Sequence, residues 1–593
     1  MLDSKIKCDN GGGGKYLLIS SLFKRNKDSI NITESINKNI DVKDSIESKQ
    51  SYINKQDSIN PSDINKDIES NHKNSAKIDS KQSESAQNHT KNQDFNNKDS
   101  NQNYNIESKT QDSNKTLSNI FFYAYIIFLA LLCLSFGAIM FPFGDDFLYT
   151  SNASVFYSPT NFAHAFTPIL WQRGRHIADI LMALSLRPFG EILISFGLSV
   201  TIAYKIVASF FVCVFYFLAF ISYSLLVYFL NGKKDFRIIF IFTSLIIICI
   251  FHRADYINFA AYLGSAGLSM LVFLPILHYF LFNVEYRYSA DSTINIPLTL
   301  LFVYFASFQI EPSSLIVFGL CVFIALYYIA TRFYKNINMW FYIISFIVLV
   351  PLSVAMTTFS GRGRTQREMI ADFSYLDSMI TYIRAFIKNY YFLHINQLLV
   401  AAIIICFGIF IYILIKRKIA KILYIQFALL TIGIVGMLGF AAIRVPGIYF
   451  PCIIILLTLF SFVLAFRYSR IFIIRLIINT FLISGVAALI CDSISVYESE
   501  FKRLSPYKDS INNLILLYKN AEEKGLDKLI ITPQDIQKYH LQMQNITTDS
   551  KSFSNSTISS WMQYYGFTTK YIKIFLEDSN DEDSKDSKDN VNE

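Results

Sequence analysis

From Asn119 onward the chain repeats one pattern: an apolar stretch close to twenty residues long, a short polar break, then another apolar stretch. A helix rising about 1.5 Å per residue needs that length to cross a hydrocarbon core of about 30 Å. Repeated spans, rather than one globular core, therefore dominate the 593-residue chain. The fold expected is an all-α polytopic membrane protein with about eleven transmembrane helices. They fall at 120–141, 205–230, 238–252, 263–283, 294–310, 313–331, 339–358, 397–415, 422–442, 448–466 and 471–490.

Short loops rich in Lys and Arg favour the cytoplasm. Asn231 to Arg237, Arg332 to Lys335, Lys416 to Lys421 and Arg467 to Arg475 all qualify, and eleven spans put them all on one side. The apolar stretch 191–230 decides the parity, because it is long enough for two spans. One span after Lys205, with 177–203 lying at the outer interface, keeps every short basic loop inside. The N-terminus is then cytoplasmic and the C-terminus extracytoplasmic, as fits a multi-pass protein of a cytoplasmic (inner) membrane.

The flanks differ from this body. Residues 1–117 are rich in Asn, Ser, Lys, Asp and Ile, with a degenerate repeat at Asp28-Ser29-Ile30, Asp44-Ser45-Ile46 and Asp57-Ser58-Ile59. Such a segment buries too little apolar surface to offset its ordering entropy, so a disordered tail is expected. The span-bearing domain is 118–490. A small extracytoplasmic α/β domain is expected at 491–576, from an amphipathic helix pattern over Tyr507 to Lys524 and apolar runs at Lys528 to Thr532 and Lys570 to Phe575. Residues 577–593 are an acidic, disordered tail.

Charge and cysteines exclude two classes. The net charge of +8 comes from Lys and Arg spread over the polar tail and the breaks between spans. No basic patch interleaved with aromatics assembles, so nucleic acid is not an expected partner. The eight cysteines lie singly, most inside apolar runs (Cys133, Cys213, Cys249, Cys321, Cys406), without zinc-ligand spacing.

Polar residues of interest gather on the face opposite the basic loops. Gly144-Asp145-Asp146 follows the first span directly, and adjacent carboxylates at a membrane boundary need cations, a metal or water nearby. A helix-end pair facing water is the plain alternative. Trp171-Gln172-Arg173-Gly174-Arg175-His176 comes about thirty residues later. Its arginine forks match phosphate oxygens, and its aromatic ring can stack on a sugar or prenyl group; lipid-headgroup anchoring is the alternative. Glu311, between two apolar segments, marks either a tight outer turn or a functional acid at membrane depth. Arg362, Arg364 and Arg367 put three cations on a long outer loop against the usual inside bias, which an anionic ligand outside would explain.

An Asp-Asp loop after the first span, followed by Trp171, Gly174-Arg175-His176-Ile177-Ala178-Asp179 and an Ala-Asp-x-Leu stretch, resembles the polytopic GT-C glycosyltransferases. It is most similar to the O-antigen glucosyltransferase type and a related uncharacterised bacterial membrane family. Those proteins usually have Gly-Arg-Pro-Leu-Ala here, so His176 replaces Pro. Their small outer domain ends in a Trp-Asn and Tyr-Tyr-Gly stretch; here Trp561 is followed by Met562, then Tyr564-Tyr565-Gly566. The resemblance spans residues 120 to about 570, with only these short motifs specific.

The resemblance implies transfer of a sugar from a polyprenyl-phosphate donor to a cell-surface glycan or lipid acceptor on the extracytoplasmic face. Asp145 or Asp146 would take the proton of the acceptor hydroxyl. Arg173, Arg175, Arg362, Arg364 and Arg367 would bind the phosphate as charge develops on it. Trp171, His176 and Glu311 would contact sugar or acceptor. No cofactor is implied beyond a divalent metal, Mg or Mn, on the paired aspartates. Membrane lipids are the remaining partners. A lipid-linked glycan transporter or flippase, and a non-catalytic membrane scaffold, are the rival readings.

Overall fold

A computed structural model describes residues 118–142, 147, 192–250, 257–282, 295–331, 337–359, 421–442, 448–468, 470–544, 546–549 and 552–577, with isolated positions between 376 and 408. The N-terminal tail, most of the two long loops at 142–204 and 359–396, the expected span at 397–415 and the acidic tail lie outside the described residues. Residues 118–593 form one compact unit.

That unit is a helical membrane protein. Among the described residues ten helices make its body: α1 (Ser118–Ile139), α2 (Val200–Leu230), α3 (Phe236–Ile250), α4 (Ile257–Phe282), α5 (Asn295–Ser307), α6 (Glu311–Ala330), α7 (Ile337–Phe359), α8 (Lys421–Ala442), α9 (Tyr449–Phe466) and α10 (Phe472–Leu504). Among the described residues eight helices are long and apolar enough to cross a membrane, not the eleven expected. The described parts of α3 and α5 are 15 and 13 residues long and rise about 20 Å, each bordering residues outside the description, and the third expected span, at 397–415, lies almost wholly outside it. The 191–230 stretch holds one long continuous helix from Val200, preceded by a single helical turn at Ile192 to Ser195, while 177–191 lies outside the described residues.

Close packing around α2 organises the bundle. Gly137 of α1 lies against the backbone of Ala208 and Ser209, where a methyl group would overlap main-chain atoms. On the other side a methyl at Gly267 of α4 would sit 2.9 Å from the Ala219 Cα. Small residues let backbones approach in membranes, where helix association draws on van der Waals contact rather than on hydrophobic expulsion from water. The contacts Phe215 with Gly264, Ala219 with Gly267 and Phe229 with His278 keep one register, so α2 and α4 run parallel. Polar side chains add cross-links: Tyr125 Oη to Ser244 Oγ at 2.7 Å, Gln426 Nε2 to Ser461 Oγ at 2.8 Å, and Tyr342 Oη to the Val272 carbonyl at 2.8 Å. The last lies next to the Leu271 carbonyl, which Pro275 deprives of its amide partner.

One end of the bundle collects the basic loops. The residues after α2 close a Schellman turn, with Gly232 N donating to Phe229 O at 3.1 Å and Lys233 N to Tyr228 O at 2.8 Å. Asp235 accepts from Arg467 Nη1 at 3.2 Å and from the Tyr468 hydroxyl, tying the α2–α3 loop to the α9–α10 loop. Burial and the Asp235 hydrogen bond push the Tyr468 hydroxyl up to about 12, so it stays a donor at neutral pH. Lys421, opening α8, reaches the Phe280 carbonyl at the end of α4.

Helix α10 runs unbroken through residue 490 and carries the chain away from that basic end for about 50 Å. Beyond it lie α11 (Ser510–Glu523), β1 (Lys528–Ile531), α12 (Pro533–Lys538), α13 (Phe553–Tyr564) and β2 (Lys573–Leu576). The two strands pair in parallel, with Lys528 opposite Lys573 and Ile531 opposite Leu576. Their buried sides (Leu529, Ile531, Ile574) share a second hydrophobic cluster with Leu514, Tyr518 and Trp561. Gly525, at φ +68°, ends α11 where the sequence pattern stops.

The packing at Gly137 predicts that Gly137→Ala lowers the thermal stability of the purified protein by about 1–3 kcal/mol. Gly439→Ala, on α8 with nothing within 4 Å of the added carbon, should leave it unchanged or raise it.

Candidate functional site

The end of the bundle opposite the basic loops is where the structure departs from plain spanning helices. Helix α5 stops at Ser307, and α6 starts at Glu311 after a turn at 308–310. The Ser269 hydroxyl of α4 donates to the Ala306 carbonyl at 2.7 Å, which sets the depth of that stop. Ser269 is thirteen residues from Phe282 at the basic end, or about 20 Å. Glu311 is nineteen residues from Ala330, or about 28 Å. The turn therefore lies within the far third of a 30 Å layer.

A helix ending there leaves carbonyls without amide partners, and water cannot supply them. Local side chains and amides do so. Tyr304 O takes Phe308 N at 3.1 Å, Phe305 O takes Gln309 Nε2 at 2.6 Å, and Ala306 O takes both Ser269 Oγ and Ser314 Oγ, the latter at 3.3 Å. Ile310 O takes Ser314 N at 3.1 Å and Ser313 Oγ at 2.9 Å. Glu311 opens α6 half-buried, with Pro312 behind it. A carboxylate there is favoured by the positive end of the helix dipole. Among the described residues three buried polar atoms beside this network find no hydrogen-bond partner: Ser265 Oγ, Ser307 Oγ and Gln309 Oε1.

The exit of the first span is fixed just as firmly. Phe141 and Phe147 are both almost fully buried, in the cluster that Leu504, Ile511 and Trp561 build beyond the bundle. The Phe147 ring meets Trp561 edge-on at 5.2 Å, and Phe141 lies 6.4 Å from Tyr507. One turn before Leu504 on α10, the buried Glu500 carboxylate is gripped by Arg503, with Nη2 to Oε2 at 2.8 Å and Nε to both oxygens at 3.2 Å. Asp492, two turns earlier, is also buried, beside Ser493, whose hydroxyl is 3.5 Å from the Cys249 sulfur at the end of α3.

Of the residues expected to form the site, Glu311 is the one described. Asp145, Asp146, Trp171, Arg173, Arg175, His176, Arg362, Arg364 and Arg367 lie outside the described residues. Among the described residues no group of three or more His, Cys, Asp or Glu assembles that could hold a metal ion. The Trp561 to Gly566 stretch serves packing: Trp561 and Met562 are buried, Trp561 touches the rings of Tyr565 and Phe567, and Gly566 at φ +71° ends α13.

Sequence reading missed Asp492, Glu500 and Arg503. The signal was present, because the buried stripe of α10 reads Leu482, Gly485, Leu489, Asp492, Val496, Glu500, Leu504, which places two acids at core-facing positions of a helical repeat. No family model, curated protein or solved structure matches this chain.

The shared acceptor at Ala306 makes a non-additive prediction. Ser269→Ala or Ser314→Ala alone leaves that carbonyl one donor, whereas the double variant strands it. Thermal unfolding of the purified protein should show the double change costing about 1–3 kcal/mol, clearly more than the two single losses added.

Proposed function

We propose that this protein is a membrane glycosyltransferase that moves a sugar from a polyprenyl-phosphate donor to a surface glycan or lipid acceptor on the extracytoplasmic face. One observation carries the reading: the chain on either side of Asp145–Asp146 is anchored. Phe141 before the pair and Phe147 after it are buried in one cluster with the residues following α10. A general base must be held at a fixed distance from the hydroxyl it deprotonates, and burying both flanks of a five-residue stretch is a direct way to hold it. Glu311, at the same end of the bundle, is a candidate contact for sugar hydroxyls.

In this reading one of the two aspartates removes the acceptor proton as the hydroxyl attacks the sugar C1, and the phosphate leaves. Arg173, Arg175, Arg362, Arg364 and Arg367 take up the negative charge that the phosphate gains. A divalent metal on the aspartate pair would serve the same end. The basic loops face the cytoplasm, which puts residues 491–576 outside as a small domain beside the reacting groups, with the N-terminal tail inside.

A flippase for lipid-linked glycans is the second reading, and the α5–α6 break favours it, since transporters place interrupted helices at their substrate sites. The aspartates discriminate. Asp145→Ala with Asp146→Ala should cut sugar transfer by membranes by about 10²–10⁴-fold while the protein level there is unchanged. Transfer at the parental rate would sink the enzyme reading, and loss of lipid-linked glycan movement with transfer intact would favour the flippase.

A further inference from the structure

The corner where the α2–α3 and α9–α10 loops meet carries more cations than the described acids around it balance. Lys233, Lys234, Arg237, Arg470 and Arg475 all lie there, and among the described residues none makes an ion pair; the Asp235 carboxylate is already engaged by Arg467 and Tyr468. Aromatic faces and one hydroxyl hold the cations in place. Lys233 Nζ sits 4.5 Å above the Phe282 ring, Lys234 Nζ 4.5 Å above Tyr468, and Arg237 bonds Ser118 Oγ at 2.8 Å beside Phe122. Partial desolvation draws the ammonium of the largely exposed Lys233 below the usual lysine value.

The backbone is committed to this arrangement. Lys233 and Asp235 adopt φ of +66° and +59°, a conformation that side chains with a Cβ rarely take and that persists where the surroundings impose it. Immediately below, α1 and α10 present large apolar side chains outward: Tyr123, Phe472 and Ile473 are each more than 60% exposed. Cations at the rim of a bundle, above an outward-facing apolar wall, match a molecule with an anionic head and acyl chains.

We propose that this corner binds the phosphate of an anionic phospholipid, with Lys233, Lys234 and Arg237 as its ligands and the α1 and α10 faces receiving the chains. The proposal is independent of the enzyme reading, because it concerns the opposite end of the bundle. Each cation near an anionic lipid contributes roughly a fivefold gain, so losing three costs on the order of a hundredfold.

The test is native mass spectrometry of the purified full-length protein, titrated with phosphatidylglycerol, phosphatidylcholine or inorganic phosphate. Phosphatidylglycerol should stay bound under conditions that strip phosphatidylcholine, and inorganic phosphate should not displace it. The variant Lys233→Gln/Lys234→Gln/Arg237→Gln should lose this binding. Lys519→Gln/Lys524→Gln/Lys528→Gln, with the same change of charge beyond α10, should keep it. Equal retention of both lipids by the unaltered protein, displacement by phosphate, or equal loss in both variants would overturn the proposal. The lipid comparison on the unaltered protein decides even where the first variant fails to fold.

Discussion

One carbonyl oxygen, that of Ala306, receives two serine hydroxyls from two different helices. In water such an arrangement would add little, because solvent would serve the carbonyl equally well. Inside a bilayer there is no solvent, and a helix can stop short of the far boundary only where neighbours take over its unpaired groups. Ser269, Ser314, Ser313 and Gln309 do this for the end of α5. The depth of the α5–α6 turn, the placement of Glu311 and the polar character of that end of the bundle all follow from it.

The two ends of the bundle are thereby built on different chemistry. One carries the α2–α3 and α9–α10 loops, rich in Lys and Arg and joined by the Asp235 clamp on Arg467 and Tyr468. The other joins the α5–α6 turn, a half-buried Glu311 and the buried acids of α10 to a cluster that holds both flanks of the Asp145–Asp146 pair. The long α10 is what makes this second end possible. It carries the chain through the membrane and onward, so that its last turns and the residues just after it pack against the exit of the first span, as Phe136 with Tyr497 and Phe141 with Tyr507 show.

Much of this was legible in the sequence, for physical reasons. A spanning helix needs one long apolar run, so α2, α6 and α9 announce themselves, and the break between α5 and α6 was visible as Gln309-Ile310-Glu311-Pro312. What could not be read was depth. The apolar run at 294–310 resembles a span to its end, yet α5 closes at Ser307, because that end depends on partners in other helices. Glu500 and Arg503 were missed for a related reason: a charged pair near the end of a helix reads as solvated surface until the packed face of that helix is known. The Trp561 to Gly566 stretch had suggested a family likeness, and its residues are accounted for by packing and by a helix end.

The central claim is that the basic loops and the residues beyond α10 stand on opposite sides of a membrane, basic loops inside. Single cysteines at Lys234 and Lys519, both exposed, in a chain otherwise free of cysteine, measure this directly with a membrane-impermeant maleimide. The account predicts that position 519 labels in intact cells while position 234 labels only after permeabilisation. Labelling of both from the same side, or of position 234 alone in intact cells, would contradict it.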